Sequence, residues 1–376
     1  MKNPIVIFGA GATAACDGPV TNRILPDAFK AFHGPQPPQT YNREEFFYTV
    51  EDFLKDNFHL PTDLADRKDH HYPGLPLLLS LIDSAIDRGQ PFGGRDLDKL
   101  RNVRGSIEYL IFAVLQESLK NVPEKNPYYR LLHGIQQQHG IEPRVISLNY
   151  DLIADSVLFT MAVKSMRNDV LGNSKCRVPN YGCDIRTVAY QSHPHDYGLL
   201  LKLHGSLNWL YCPNCHRLDI GLSETGPGVL VTRKVLDDLY QEVNLHDKYS
   251  CQGADCLDCQ EKVRPVLITP THKKDYRNPH IAHVWYQAER ALRESDRVFI
   301  IGYSLPDDDV DVVYLLKRGL SHLVSSRGQI TVVQHGKPGE TLEEHKDGPR
   351  YRALFGEQFD WQVSGFGEWV DKEFPV

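Results

Sequence analysis

Three groups able to orient, hydrogen-bond and exchange protons each come directly after a short apolar run. Asn149 and Asp151 follow Pro143-Arg-Val-Ile-Ser-Leu148, and His204 follows Leu199-Leu-Leu-Lys-Leu203. Two further apolar runs end in glycine. Ile5-Val-Ile-Phe8 leads into Gly9-Ala-Gly-Ala-Thr13, and Arg297-Val-Phe-Ile-Ile301 leads into Gly302-Tyr-Ser-Leu-Pro306. In α/β sheets ligands bind beyond the carboxyl ends of the strands, and a glycine turn lets a nucleotide phosphate approach backbone N–H groups at a helix start. Polar or glycine-rich endings on four apolar strands therefore point to one shared site. Each residue also has a plainer role open to it. Asn149 or Asp151 fits a helix cap, Gly302 a simple turn, and any one of the 17 histidines a packing position. The glycine stretch lacks the third glycine and the downstream acid of a hydride-transfer Rossmann domain.

The cysteines give a second constellation. Cys212-Pro-Asn-Cys215 and Cys256-Leu-Asp-Cys259 are two CxxC pairs. Each pair can place two thiolates on one ion, and four thiolates fill a tetrahedral zinc site with no open position, which makes such a zinc structural. Cys251 is an alternative fourth ligand. Cys16, Cys176 and Cys183 have no paired spacing, and Cys16 reads as a packing residue near the glycine turn.

The elements that must carry these groups follow from periodicity. The strands read as residues 5–8, 143–148, 199–203, 266–269, 297–301 and 329–333, with a last edge strand in Phe359-Asp-Trp-Gln-Val-Ser364. Between the first and second strands lies a helical stretch: 44–58, 75–88, 96–122 and 127–139, after a proline-rich loop at 33–42. Further helices follow Asp151 to about Met166, and cover 279–294 and 307–320. Residues 167–198 read as a long connection, with a flap over the site as one role for it. Apolar strands alternating with helices give an α/β fold, a Rossmann-like doubly wound parallel sheet. It carries a helical insertion at 21–140 and a small four-cysteine zinc-binding subdomain at 207–263; segments 1–20, 141–206 and 264–376 form the nucleotide-binding body.

The whole-chain totals exclude some classes. A net charge of −7 over 376 residues gives no general attraction to nucleic acid or anionic membranes. No apolar run has the roughly 18–20 residues needed to span a bilayer. The chain opens on a strand rather than a secretory segment, so the sequence reads as cytosolic. In that compartment eight cysteines argue for metal or free thiols before disulfides.

Taken in order, these motifs resemble the sirtuin (Sir-two) NAD-binding family, and more closely its bacterial NAD hydrolases of anti-phage defence. Gly9-Ala-Gly-Ala-Thr13 is similar to the family's GAG(A/I)(S/T) loop, and Ser147-Leu-Asn-Tyr-Asp151 to its TQNxD segment. Leu203-His-Gly-Ser206 followed by CxxC matches its HG-then-zinc order, and Gly302-Tyr-Ser-Leu-Pro306 resembles its GTSL loop. The resemblance implies that NAD is the substrate and that a structural Zn2+ is present. It implies that Asn149 orients ribose or the attacking water, that Asp151 holds the nicotinamide amide, and that His204 is the general base. Gly9, Ala10, Gly11, Thr13, Gly302 and Ser304 would then meet the rest of the dinucleotide. Two departures favour water as the acceptor. Asp17-Gly-Pro-Val-Thr21 lacks the Phe-Arg pair of the deacylases, and Arg264-Pro265 leads into Val266-Leu-Ile-Thr-Pro-Thr271 instead of Phe-Gly-Glu. The expected activity is hydrolysis of NAD to ADP-ribose and nicotinamide. The alternatives are protein deacylation or ADP-ribosyl transfer, and a non-catalytic NAD or ADP-ribose sensor. Family analogy further implies a HerA-type ATPase or another separately encoded activator, or assembly into homo-oligomers, with the helical insertion as docking surface.

Overall fold

The computed structural model describes residues 3–41, 43–167, 179–185, 197–220, 255–268, 278–307, 309–324 and 329–375. The first strand, β1 (Pro4–Phe8), is buried along its whole length. A short helix α1 (Ala10–Ala14) follows, and then five helices run before the chain returns to the sheet: α2 (Ile24–Phe32), α3 (Glu44–Phe58), α4 (Leu75–Asp87), α5 (Leu97–Leu119) and α6 (Pro127–His139). Strand β2 (Arg144–Ser147) and helix α7 (Ile153–Arg167) come next, then β3 (Pro179–Asn180) and β4 (Tyr197–Lys202). Three strands leave the main sheet: β5 (Gly205–Tyr211), β6 (Leu218–Ile220) and β7 (Arg264–Leu267). The chain closes with α8 (Pro279–Arg293), β8 (Arg297–Ile301), α9 (Val310–Gly319), β9 (Ile330–Val333), α10 (Gly348–Phe355), β10 (Asp360–Gln362) and α11 (Phe366–Glu373).

Seven strands form one sheet in the order β10-β9-β8-β1-β2-β4-β3, and every pairing in it is parallel. Strands covered on both faces must be apolar throughout, which explains runs such as Ile5-Val-Ile-Phe8 and Val298-Phe-Ile-Ile301. From β1 the chain builds outward through β2 and β4, and later returns to the other flank of β1 with β8, β9 and β10. The winding therefore reverses beside β1, where open α/β sheets bind ligands.

The helices between β1 and β2 do not form a separate core. Phe29, Phe47, Leu100 and Ile107 belong to the same continuous apolar cluster as Ile5 and Val145. Helix α5 is central to this layer. Asp96 caps it by accepting from the Lys99 N–H at 2.9 Å, and α2, α3 and α4 all pack on it.

Three expectations change. The strand expected over 266–269 in the parallel sheet is β7, which pairs antiparallel with β5 in a small three-stranded sheet, order β6-β5-β7. The cause is local: the segment emerges from the second cysteine pair and returns alongside the strand that entered the first. Part of the 167–198 connection supplies β3, an edge strand parallel to β4, whereas 168–178 and 186–196 lie outside the described residues. Helices α2, α10 and α11 were not anticipated. Among the described residues no helix is long and apolar enough to cross a membrane.

Candidate functional site at the carboxyl edge of the sheet

Strands β8, β1, β2 and β4 are consecutive neighbours, and their carboxyl ends carry the residues singled out by type. The glycine loops after β1 and β8 touch directly. The Gly9 N–H donates to the Ile301 carbonyl at 2.9 Å, and the Gly11 N–H donates to the Gly302 carbonyl at 2.7 Å. A Cβ on Gly9 would lie 2.6 Å from the Tyr303 Cα, and one on Gly11 2.8 Å from the Gly302 Cα. Gly302 itself has φ +63° and faces the Ala12 nitrogen, so it lacks room for a side chain and has a backbone that favours glycine. The glycines thus bring two loops together. Two of the amides expected to face a phosphate are engaged with the β8 edge, and α1 is five residues long.

Asn149 and Asp151 bind the same glycine loop from the other side. The Asn149 Nδ2 donates to the Gly9 carbonyl at 2.9 Å and to the Thr13 Oγ1 at 3.0 Å. The Thr13 hydroxyl donates to the Asp151 Oδ2 at 2.5 Å, and the Asp151 Oδ1 accepts the Ile153 N–H at 3.0 Å. Asp151 therefore both caps α7 and holds the glycine loop. Burial raises its carboxyl above the ordinary range, an effect opposed by Lys202 and the Thr13 hydroxyl. Tyr128 on α6, fully buried against Phe8, has its hydroxyl beside Thr13 and Asn149, short of a well-formed hydrogen bond.

Lys202, the one cation within the run Leu199–Leu203, is completely buried beneath this loop. Its ammonium donates to the Asp151 carbonyl and, at 2.9 Å, to the Asp155 Oδ2; the Tyr181 hydroxyl donates to the Asp155 Oδ1 at 2.8 Å. A buried charge persists only when paired and hydrogen-bonded. Here the pairing ties β4, α7 and the residue after β3 to the loop that carries Asn149.

His204 closes the arrangement. Its Nδ1 is 3.1 Å from the Leu148 carbonyl, an acceptor, so Nδ1 carries the proton of that bond. Its Nε2 lies 3.9 Å from the Asp309 Oδ1. The Tyr303 hydroxyl donates to the Asp309 Oδ2 at 2.6 Å. The contacts form a ring: Gly302 to Gly11, Gly9 to Asn149, Leu148 to His204, His204 to Asp309, and Asp309 to Tyr303 beside Gly302. Asn149, Asp151, His204, Gly9, Gly11, Thr13 and Gly302 all belong to it or bond to it. Ser304 is exposed, and its carbonyl accepts from Arg350 at 2.9 Å. Asp309, Tyr303 and Lys202 were missed. The signals available were the acidic triplet Asp307–Asp309 after the second glycine loop and a lysine inside an apolar strand.

The four thiols of Cys212, Cys215, Cys256 and Cys259 all lie within 4.8 Å of one another. Cys212 and Cys259 sulfurs are 3.4 Å apart, and those of Cys215 and Cys256 are 3.5 Å apart. Zinc bonded to sulfur at about 2.3 Å in a tetrahedron needs sulfurs roughly 3.8 Å apart, so the donor set fits the ion. The two turns repeat one design. In each, the residue after the second cysteine has positive φ, 61° at His216 and 62° at Gln260, and its N–H donates to the carbonyl of the first cysteine. Arg217 bridges them by pairing with Asp219 and Asp258. Cys251 and Cys176 lie outside the described residues. Burial pushes the Cys16 thiol up to about 12, in keeping with a packing residue.

The cysteine hairpin is joined directly to the site. Strand β5 starts at Gly205, next to His204, and the His204 carbonyl accepts the Ile268 N–H at 2.8 Å. Gly205 has φ +79°, and a Cβ there would overlap the Val266 carbonyl, so β5 and β7 meet closely just past the imidazole.

No protein-family model and no curated protein matches this chain. Among solved structures it is similar to one described as the structural basis for the mechanism and regulation of Sir2 enzymes, at 14% identity, 99% coverage of this chain, 90% of that chain and TM-score 0.41. A complex of Sir2 with a p53 peptide and NAD+ aligns at 12% identity, 98% and 91% coverage and TM-score 0.41. A Sir2 homologue mutant bound to ADP-ribose aligns at 13% identity, 99% and 90% coverage and TM-score 0.41.

Proposed function

We propose that this sheet edge binds NAD and hydrolyses its nicotinamide–ribose bond, releasing ADP-ribose and nicotinamide. The observation supporting it is the closed ring of contacts that joins an amide, an imidazole and two glycine loops, each named beforehand by motif order. In the reaction the C1′–N bond breaks, and its electron pair goes to the nicotinamide ring nitrogen. Water forms the new C1′–O bond and loses a proton. The cationic leaving group departs readily, so the protein's task is orientation and proton removal more than nucleophilic attack. Asn149, fixed by two donated bonds, keeps its amide oxygen to orient water or a ribose hydroxyl. His204 takes the proton. Asp151 fixes Thr13 and the glycine loop, and meets the nicotinamide amide by exchanging one of its two internal donors for it. Gly9, Ala10, Gly11, Gly302 and Ser304 line the path of the dinucleotide. The four cysteines would hold a zinc ion with a filled coordination sphere, which supplies structure and no open site for catalysis.

The test is purified protein with NAD, with and without an acetylated peptide. Free ADP-ribose formed without peptide supports hydrolysis. Turnover that requires peptide moves the reading to deacylation, and binding of NAD with no turnover moves it to a sensor. His204→Ala lowers turnover by about 10²–10⁴-fold if the imidazole is the base.

A further inference from the structure

His204 is held between two acceptors. The carbonyl of Leu148 accepts at Nδ1, and a carboxylate, Asp309, stands 3.9 Å from Nε2. This differs from a base whose carboxylate partner sits behind it, on the nitrogen that does no chemistry. Here the negative charge faces the nitrogen that must receive a proton. Both side chains are nearly excluded from solvent, 10% exposed for His204 and 6% for Asp309, so the charge is weakly screened.

Asp309 is not placed there by helix capping: it precedes α9 and makes no side-chain cap bond to it. Its Oδ2 accepts from Tyr303 instead. Tyr303 is held in turn through its carbonyl, which accepts from Gln334 and Tyr351. A chain of bonds from α10 and the end of β9 thus fixes a carboxylate against the imidazole. The rings beside His204 are those of Tyr150, with centroids 6.5 Å apart, and the uncharged Trp285 at the same distance. Arg104 and Glu108 of α5 act electrostatically on Tyr150 and are paired with each other.

We propose that Asp309 is the positioning partner of His204: it stabilises the imidazolium formed when Nε2 takes a proton. The inference rests on the reading of His204 as the base for its catalytic meaning, but the pairing itself stands without it. The proton balance is simple. Nδ1 keeps its proton on Leu148, Nε2 gains the one released by the substrate, and the new positive charge lies against the Asp309 carboxylate.

The test is an NMR titration of the full chain with 13C-labelled histidine, with the His204 signal assigned by its loss in His204→Asn. Asp309→Asn removes the charge while keeping the shape, and the His204 midpoint falls by about one pH unit or more. Tyr303→Phe keeps the ring but leaves the carboxylate with one donor fewer, and the midpoint rises by a few tenths. An unchanged midpoint in Asp309→Asn overturns the proposal. If that variant does not fold, an unchanged midpoint in Tyr303→Phe overturns it instead. Neither measurement needs NAD turnover, so failure of the hydrolase reading leaves the pairing to be judged separately.

Discussion

The sheet edge and the cysteine hairpin both collect residues distant in sequence, by different means. At the edge the parallel sheet does the collecting. Strands β8, β1, β2 and β4 are neighbours, and a continuous apolar core beneath them fixes their ends. The strands of the hairpin share that core through Leu207, Trp209, Leu218 and Val266, but its cysteine-bearing tip has no comparable support. Its separate apolar cluster consists of Cys212, Cys256 and Val263, two of which are thiol-bearing residues. Burial of that size cannot offset the ordering of two turns. The edge is preorganised by packing, whereas the tip of the hairpin depends on the ion its four thiols would bind.

Removing zinc should separate the two regions most sharply. Structural zinc sites contribute apparent binding energies of about 10–16 kcal/mol to folding. Chelation, or Cys256→Ser, is expected to release backbone protection across 212–217 and 255–263 in hydrogen exchange, while β1, β5, β8 and α5 stay protected. Uniform loss across the chain would erase the distinction.

Lys202→Met probes the edge. It leaves Asp155 buried without its cation, a change that costs about 3–5 kcal/mol. Denaturant melts should register that loss, and Lys202→Arg, which keeps the charge, should lose less. Gly302→Ala probes the contact of the two loops, where a Cβ meets the Ala12 amide at positive φ; the cost is about 2–4 kcal/mol of strain and displacement. Zinc content by metal analysis should be unchanged in both variants, since neither touches the hairpin.

The smallest effect concerns pH. Burial raises the Asp151 carboxyl above its unfolded value. Its protonated form is therefore favoured by folding, and the associated stability is present below the unfolded range and lost as pH rises through the folded value. Wild type should lose melting temperature relative to Asp151→Asn as pH rises above the unfolded carboxyl value of about 4. Parallel pH profiles for the two proteins would show that the edge tolerates this charge without penalty.

Much of this was legible because the signals were local. A β-branched run ending in Gly9 or Gly302 marks a parallel strand and its turn, and CxxC spacing marks a knuckle. Helices α3 and α6 have the boundaries their periodicity implied, since His59 and Gly140 end them in left-handed backbone. What was not legible depends on tertiary pairing. Strand β7 has the composition of a buried parallel strand, and only its return beside β5 makes it antiparallel. Helix α2 contains Pro26 and follows a turn-prone stretch that masks its start. Asp309 reads as a helix-start acid until the fold brings it to His204. Lys202 gave a hint in being charged within an apolar run, but the spacing did not name Asp155 as its counterion.

Because β5 leaves the main sheet at the residue next to His204, the hairpin is also a built-in reporter. Cobalt accepts the same four-sulfur geometry as zinc, and its visible spectrum is sensitive to small distortions of the surrounding thiolates. A cobalt-loaded protein would therefore change colour if a ligand arriving at His204 shifts the strand that begins beside it.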